Sequence, residues 1–193
     1  TTMIQIDEKR LARQNEGIDK WEASNYNGII NWYPGVGKTY GAILAIQRYE
    51  KLHKSNYIIS VPNDVIYKQW LKTLEHFPVH LKQRIIVKTK GQLHSEKLSY
   101  KDVGLFIVDE IHEYTTELDE KLLDKTIIEH KAFLALTGTT NRVNFKNVLK
   151  HYKIVDEISE YEAKSKGFVA EMIEYNWALD LDSKDAKTYE NYT

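Results

Sequence analysis

Tyr33-Pro34-Gly35-Val36-Gly37-Lys38-Thr39-Tyr40 follows directly on the apolar run Gly28-Ile29-Ile30-Asn31-Trp32 and opens a long helical pattern. The run has the length and residue types of a buried strand, so the octet is a strand-to-helix loop. Its glycines let the backbone curl until successive N–H groups point inward, and the helix N-terminus behind them adds partial positive charge. That is a phosphate cradle. Lys38 supplies a mobile cation for β- and γ-phosphates, and the Thr39 hydroxyl is placed to ligate Mg²⁺. Gly35, Val36, Gly37, Lys38, Thr39 and Tyr40 are therefore the expected nucleotide-binding residues. The general pattern has a glycine five residues before Gly37, where this chain has Trp32. The competing reading, a glycine turn before a helix that happens to begin Lys-Thr, does not account for the strand in front of it.

A second stretch, Phe106-Ile107-Val108-Asp109-Glu110-Ile111-His112, ends another buried strand in two acids. In a nucleoside triphosphatase this position faces the cradle. Asp109 would hold Mg²⁺ through its water shell, and Glu110 would orient or deprotonate the attacking water, with Lys38 as the third catalytic group. Taken alone, the stretch is equally a strand that ends in a polar turn. Paired with Gly37-Lys38-Thr39 it is the second half of a phosphate site.

Apolar stretches and helical patterns alternate around these two anchors. Helices are expected over 7–24, with Leu11, Ile18 and Trp21 among the apolar positions, over 38–53, from Asn63 or Asp64 to His76, over 118–129 and over 144–151. Strands are expected over 28–33, 57–61, 84–87, 104–108 and 132–136. Short apolar strands alternating with helices give an α/β fold, a mostly parallel sheet covered by helices on both faces. After Lys164-Ser165-Lys166-Gly167 the pattern changes. Met172–Leu181 reads as extended, and Ser183-Lys184-Asp185 opens a helical pattern that runs to Thr193 without a cap, as in a chain that continues.

Length and composition bound the rest. The 193 residues suffice for one well-packed domain, and the 42% hydrophobic and 28% charged fractions are those of a soluble globular protein. No segment reaches the roughly 20 apolar residues of a membrane span. Asp7-Glu8-Lys9-Arg10 stands where an export signal would be apolar, and the absence of cysteine suits a reducing cytoplasm, that of a host if the chain is viral. Net charge is −1, but residues 61–101 hold eight Lys/Arg against three acids, and residues 156–193 hold four lysines against ten acids. The basic stretch is either a solvated face or a surface that follows phosphates.

Asp109-Glu110-Ile111-His112 resembles the Asp-Glu-x-His tetrad of the superfamily 2 helicases and translocases, and other stretches fall into that family's order. Leu136-Thr137-Gly138-Thr139 looks like its third motif, which couples hydrolysis to movement on nucleic acid; His112, Thr137, Gly138 and Thr139 are the implied coupling residues. Val61-Pro62-Asn63, with Gln69-Trp70 and Glu75-His76-Phe77 beyond, looks like motif Ia, and Val87-Lys88-Thr89 like the next backbone-contacting segment. The resemblance makes Pro62, Asn63, Thr89 and Lys90 candidate nucleic-acid contacts, and Gln14 a candidate reader of adenine. Within the superfamily the form is most similar to Snf2-type double-strand translocases, then to phage and repair helicases.

What the resemblance implies is a RecA-like domain over residues 1–168, with residues 169–193 a linker entering a second motor domain. ATP and Mg²⁺ are the implied cofactors, and DNA or RNA, contacted through its backbone without regard to sequence, the implied partner. The family's second RecA-like domain supplies an arginine finger. Arg142 is the only arginine after Thr139 and lies too close to the third motif for that role, so the second domain is expected in the same polypeptide or in trans. Two other readings stay open: another P-loop enzyme, such as a loader ATPase or small-molecule kinase, and an inactive nucleotide- or nucleic-acid-binding module.

Overall fold

The computed structural model describes residues 2–96, 98–139, 145–169, 175–179 and 187–191. Six strands, β1 (Asn27–Trp32), β2 (Asn56–Val61), β3 (Ile85–Thr89), β4 (Tyr100–Val108), β5 (Ile128–Thr137) and β6 (Ile154–Ile158), form one sheet in the order β3-β2-β4-β5-β1-β6. Every pairing in it is parallel. The helices are α1 (Thr2–Ala23), α2 (Lys38–Leu52), α3 (Asp64–Leu74), α4 (Val79–Lys82), α5 (Lys90–Ser95), α6 (Glu117–Leu123), α7 (Phe145–Leu149) and α8 (Glu160–Ser165). A separate antiparallel pair, β7 (Tyr175–Leu179) and β8 (Lys187–Asn191), lies in the tail. No described helix is long and apolar enough to cross a membrane.

Both sheet faces are buried, which is why the strands read as continuous apolar runs. Ile30, Trp32, Ile59, Val61, Leu105, Ile107, Leu134 and Leu136 face one side, under α1, α2 and α3. Their alternates Ile29, Ile58, Phe106, Val108, Phe133 and Ala135 face the other, with Leu93 of α5, Leu122 of α6 and Val148 of α7. The α/β expectation with a parallel sheet and helices on both faces therefore holds.

Several boundaries differ. Among the residues of α1 whose side chains are described, the buried ones are Arg10, Arg13, Gln14, Gly17, Ile18 and Trp21, a helical stripe that is half polar, while Leu11 is 40% exposed. Ion pairing and hydrogen bonding bring polar side chains inward there, which an apolar-periodicity argument misses. The helix expected over 118–129 stops at Leu123, because Lys125 takes φ 70° and the Asp124 carboxylate accepts from the Thr126 N–H at 2.9 Å. The β-branched pair Ile127-Ile128 then leads into β5. The acids of β6 hid a strand whose buried Asp156 has its charged partners on α1. In the tail, 180–186 lie outside the described residues, and 187–191 form a strand rather than the expected helix, pairing Tyr189 with Trp177. Alternation of Thr188, Tyr189 and their neighbours has the strand period.

Candidate nucleotide site at the carboxyl edge of the sheet

In a parallel sheet all strands end on one side, so every loop that follows a strand opens there. The loops after β1, β2, β3, β4 and β5 are those that begin at Tyr33, Pro62, Lys90, Asp109 and Gly138. β5 runs between β4 and β1, pairing Ala135 with Val108 and Thr137 with Asn31. The third motif thus stands between the phosphate loop and the two acids.

The phosphate loop is built as its glycines suggest. Gly35 and Gly37 have φ of 92° and 97°, left-handed values that a side chain resists, and no side chain caps the start of α2. A Cβ on Gly35 would lie 3.1 Å from Val169 Cγ1, so the segment after α8 presses on the loop. Val36 and Gly37 are buried; Lys38, Thr39 and Tyr40 are half-buried in the first turn of α2. Burial pushes the Tyr40 phenol above its ordinary pKa.

Trp32, the departure from the glycine pattern, is fully buried beneath the loop. Its ring occupies the space that Cβ atoms on Gly17 and Gly41 would need, each of which would approach it to 2.6 Å. Its indole N–H donates to Asp156 Oδ2 at 2.7 Å. Asp156 also takes a two-pronged bond from Arg13 at 2.9 Å and 2.9 Å, and one from a second cation, Lys20, at 3.1 Å. These contacts clamp α1 and β6 to the root of the loop. One helical step from Arg13, Gln14 is 3% exposed and donates its amide N–H to the Val36 carbonyl at 2.7 Å. A carbonyl can only accept, so the amide nitrogen faces the loop and Oε1 faces away. Alongside lies an open recess of about 550 Å³ lined by Lys9, Arg13, Glu16, Lys166 and Phe168 among others.

Across the edge, Asp109 is buried at the end of β4. Its N–H donates to the Ser60 carbonyl at 2.9 Å, and its Oδ2 accepts the Trp70 indole N–H at 2.9 Å. Burial raises the Asp109 pKa to about 6; the Trp70 bond opposes that rise, the Glu110 charge adds to it, and Lys38 opposes it. Glu110 takes φ 53°, ψ 52°, a left-handed conformation that costs a non-glycine residue strain. The turn sets the Glu110 carboxylate 4.0 Å from Lys38 Nζ and 3.2 Å from His112 Nδ1.

His112 joins this group to the third motif. Its Nδ1 lies 2.9 Å from Thr137 Oγ1. The Thr137 hydroxyl donates its one proton to the Thr139 carbonyl at 2.7 Å and accepts from the Thr139 N–H at 3.2 Å. With that proton spent, and a carboxylate also facing Nδ1, the imidazole must donate from Nδ1. Gly138 touches the phosphate loop: a Cβ there would lie 2.8 Å from Lys38 Nζ and 3.2 Å from Pro34 Cγ. Lys38, Glu110, His112, Thr137 and Gly138 thus form one contiguous set, with Asp109 beneath it.

The candidate nucleic-acid residues share the edge but differ in character. Pro62 is half-buried and Asn63 exposed; the Asn63 side chain caps α3 by accepting from the Ile66 N–H at 3.0 Å. Thr89 is buried and caps α5 in a reciprocal pair with Gln92. Lys90 is half-buried and paired: its Nζ donates to the Glu113 carbonyl at 2.7 Å and reaches Asp119 Oδ2 at 3.3 Å. Lys88 is paired with Glu96 at 2.6 Å, while Lys68 and Lys72 are exposed on α3. Arg142 lies outside the described residues. Sequence reasoning missed Arg13, Trp32 and Asp156 as supports of the loop, and Trp70 as a partner of Asp109. The signal for Trp32 was its place at the pattern's glycine; for the others the pairing is long-range and leaves no local trace.

Comparison with known proteins agrees with this fold. The sequence profile of the family described as Type III restriction enzyme, res subunit, matches residues 8–142. No curated protein sequence matches the chain significantly. Among solved structures, the fold is similar to the UvsW helicase from bacteriophage T4, at TM-score 0.56 and 14% identity over 68% of this chain and 55% of that one. It is similar to the Hef helicase domain of Pyrococcus furiosus, at TM-score 0.60 and 14% identity over 79% and 39%. It is also similar to the SWI2/SNF2 ATPase core of Sulfolobus solfataricus, solved in complex with double-stranded DNA, at TM-score 0.54 and 17% identity over 77% and 35%. The chain spans about half or less of the length of these relatives. It belongs to the Type III restriction enzyme res-subunit family and has the fold of a superfamily 2 helicase N-terminal motor domain.

Proposed function

We propose that this chain binds ATP with Mg²⁺ at the carboxyl edge and hydrolyses it as one half of a nucleic-acid-dependent motor. The observation that carries the reading is the convergence of the phosphate loop, Asp109-Glu110 and the third motif on adjacent strands, joined by the His112–Thr137 bond. The left-handed glycines and the uncapped start of α2 fit a phosphate chain, and the Thr39 hydroxyl and Asp109 carboxylate are oxygen donors of the kind Mg²⁺ prefers. When bound, Mg²⁺ neutralises charge on the phosphate oxygens. Lys38 adds its own positive charge there, and Glu110 orients or deprotonates the attacking water. His112 reports the state of Glu110 to Thr137, whose neighbour Gly138 touches Lys38. Gln14 anchors the loop through Val36 and has Oε1 left as an acceptor for an adenine amino group.

Residues 1–168 act as the first motor domain and 169–193 lead toward the second, which supplies the arginine finger in the same polypeptide or in trans. The Pro62–Asn63 loop, with Asn63 exposed, and the starts of α3 and α5 meet the phosphate backbone of DNA, or of RNA, without base readout. Thr89 and Lys90 serve this track by fixing the start of α5, and Lys68 and Lys72 add long-range attraction. A kinase or loader would have no use for the His112–Thr137 link.

The test is ATP turnover with and without DNA or RNA. Turnover should be slow in this chain alone and rise in the two-domain protein, since an arginine finger contributes about 10³- to 10⁵-fold. Lys38→Ala should abolish nucleotide binding, whereas Glu110→Gln should retain binding and lose hydrolysis. Equal loss of binding in both variants would overturn the assignment of roles.

A further inference from the structure

Asp109 is held from outside its own strand. Its backbone is fixed by Ser60 of β2, but its carboxylate is fixed by α3, through the Trp70 indole at 2.9 Å. Trp70 is 1% exposed and packs in the core with Leu74 of the same helix. Seven residues earlier, the exposed Asn63 caps the start of that helix beside the candidate nucleic-acid loop. Seven residues are two turns, so Asn63 and Trp70 lie on one side of a rigid rod about 10 Å apart. An indole N–H donates only, and a buried donor left without an acceptor is costly, so a shift of α3 draws the carboxylate with it.

We propose that Trp70 is a positioning residue for the metal-holding carboxylate, and that through it α3 couples backbone contact at Asn63 to Mg²⁺ affinity at Asp109. The indole takes Oδ2 and so fixes which oxygen Asp109 can offer a metal or its water shell. This inference rests on the nucleotide-site reading above. It adds to the motor a second route between the nucleic-acid side and the phosphate site, through α3 rather than through His112 and Thr137.

The test replaces Trp70 with β-(3-benzothienyl)alanine, which has sulfur in place of the indole N–H and the same shape. Binding of a non-hydrolysable ATP analogue is titrated against Mg²⁺ and in EDTA, each with and without a duplex oligonucleotide. The half-saturating Mg²⁺ concentration should rise roughly tenfold or more, as it does when an outer partner of a metal ligand is lost. Affinity in EDTA should match the unsubstituted chain, the lost buried hydrogen bond should lower the melting temperature by several degrees without unfolding the chain, and the oligonucleotide should no longer move the Mg²⁺ midpoint. In the unsubstituted chain, the Trp70 indole N–H resonance should shift on adding Mg²⁺ with the analogue, and stay put with the analogue in EDTA. Trp70→Phe should follow the same pattern; if it unfolds, the isosteric replacement still decides. An unchanged Mg²⁺ midpoint in the isosteric chain overturns the role of Trp70. A raised midpoint that the oligonucleotide still moves overturns the coupling. Failure of the unsubstituted chain to bind the analogue at all overturns instead the nucleotide-site reading.

Discussion

Trp32 and Trp70 each donate an indole N–H to a buried aspartate, at 2.7 Å to Asp156 and 2.9 Å to Asp109, yet the two aspartates are opposite in kind. Asp156 is matched by the Arg13 guanidinium on both oxygens and by Lys20, so its charge and lone pairs are filled from within the chain. Asp109 has the indole, a like-charged neighbour in Glu110, and the more distant attraction of Lys38; burial leaves its pKa near 6. A buried carboxylate with its cations in place is a fastening. One without such a cation fits a binding site. The same residue pair thus anchors the loop after β1 at one end of the sheet edge and, in the proposed site, orients the metal-facing carboxylate at the other.

The largest effect should separate the two as structural elements. Asp156→Ala leaves Arg13 buried without its principal partner and should cost about 3–5 kcal/mol of stability, measured by urea unfolding. Asp109→Ala loses the Trp70 acceptor but removes an unmatched charge, and should cost clearly less. If the two losses are equal, the distinction between fastening and site fails.

Next comes the crowding between the third motif and the loop. Gly138→Ala places a methyl group within 2.8 Å of Lys38 Nζ and against Pro34. Lys38 must swing away, and affinity for the ATP analogue should fall by roughly 10- to 100-fold, in line with the loss of a charge-assisted contact. Thermal stability should change little, because the far end of a flexible side chain gives way. Calorimetric titration of the variant checks this; unchanged affinity would mean that Lys38 does not work from its observed position.

A smaller effect appears in the pH dependence of stability. The folded Asp109 pKa, about 6, lies above the ordinary 3.8. Between those values the folded state binds more protons than the unfolded one, so this group makes stability fall as pH rises from about 4 to 6, and the deficit persists above. Asp109→Asn removes the titration. Its melting temperature relative to the unsubstituted chain should therefore be higher at pH 7.5 than at pH 4. A difference that is flat with pH would contradict a buried carboxylate lacking its cation.

How far this could be read in advance depended on how local the physics is. Gly35-Val36-Gly37-Lys38-Thr39 and Asp109-Glu110-Ile111-His112 carry their geometry in neighbouring residues, because glycine φ values and strand ends are short-range matters. The parallel sheet was legible because strands buried on both faces must be apolar throughout. β6 was not, since Asp156 and Glu157 make it look like a loop until Arg13, far along the chain, is seen to neutralise one of them. α1 was legible as a helix but not in its facing, because half its buried stripe is polar. Lys90 read as part of a solvated or phosphate-following charge run, and its ammonium also reaches Glu113 and Asp119. Each of these features involves a charge whose partner is distant in sequence.

The central claim, carried over from the proposed function, is that the Asp109 carboxylate holds Mg²⁺ at the phosphate site, and calorimetric titration of an ATP analogue into Asp109→Asn, with Mg²⁺ and in EDTA, tests it most directly. The unsubstituted chain should bind more tightly with Mg²⁺ than without. The variant should lose that increment while retaining the affinity in EDTA and the fold. An increment retained in Asp109→Asn would contradict the claim.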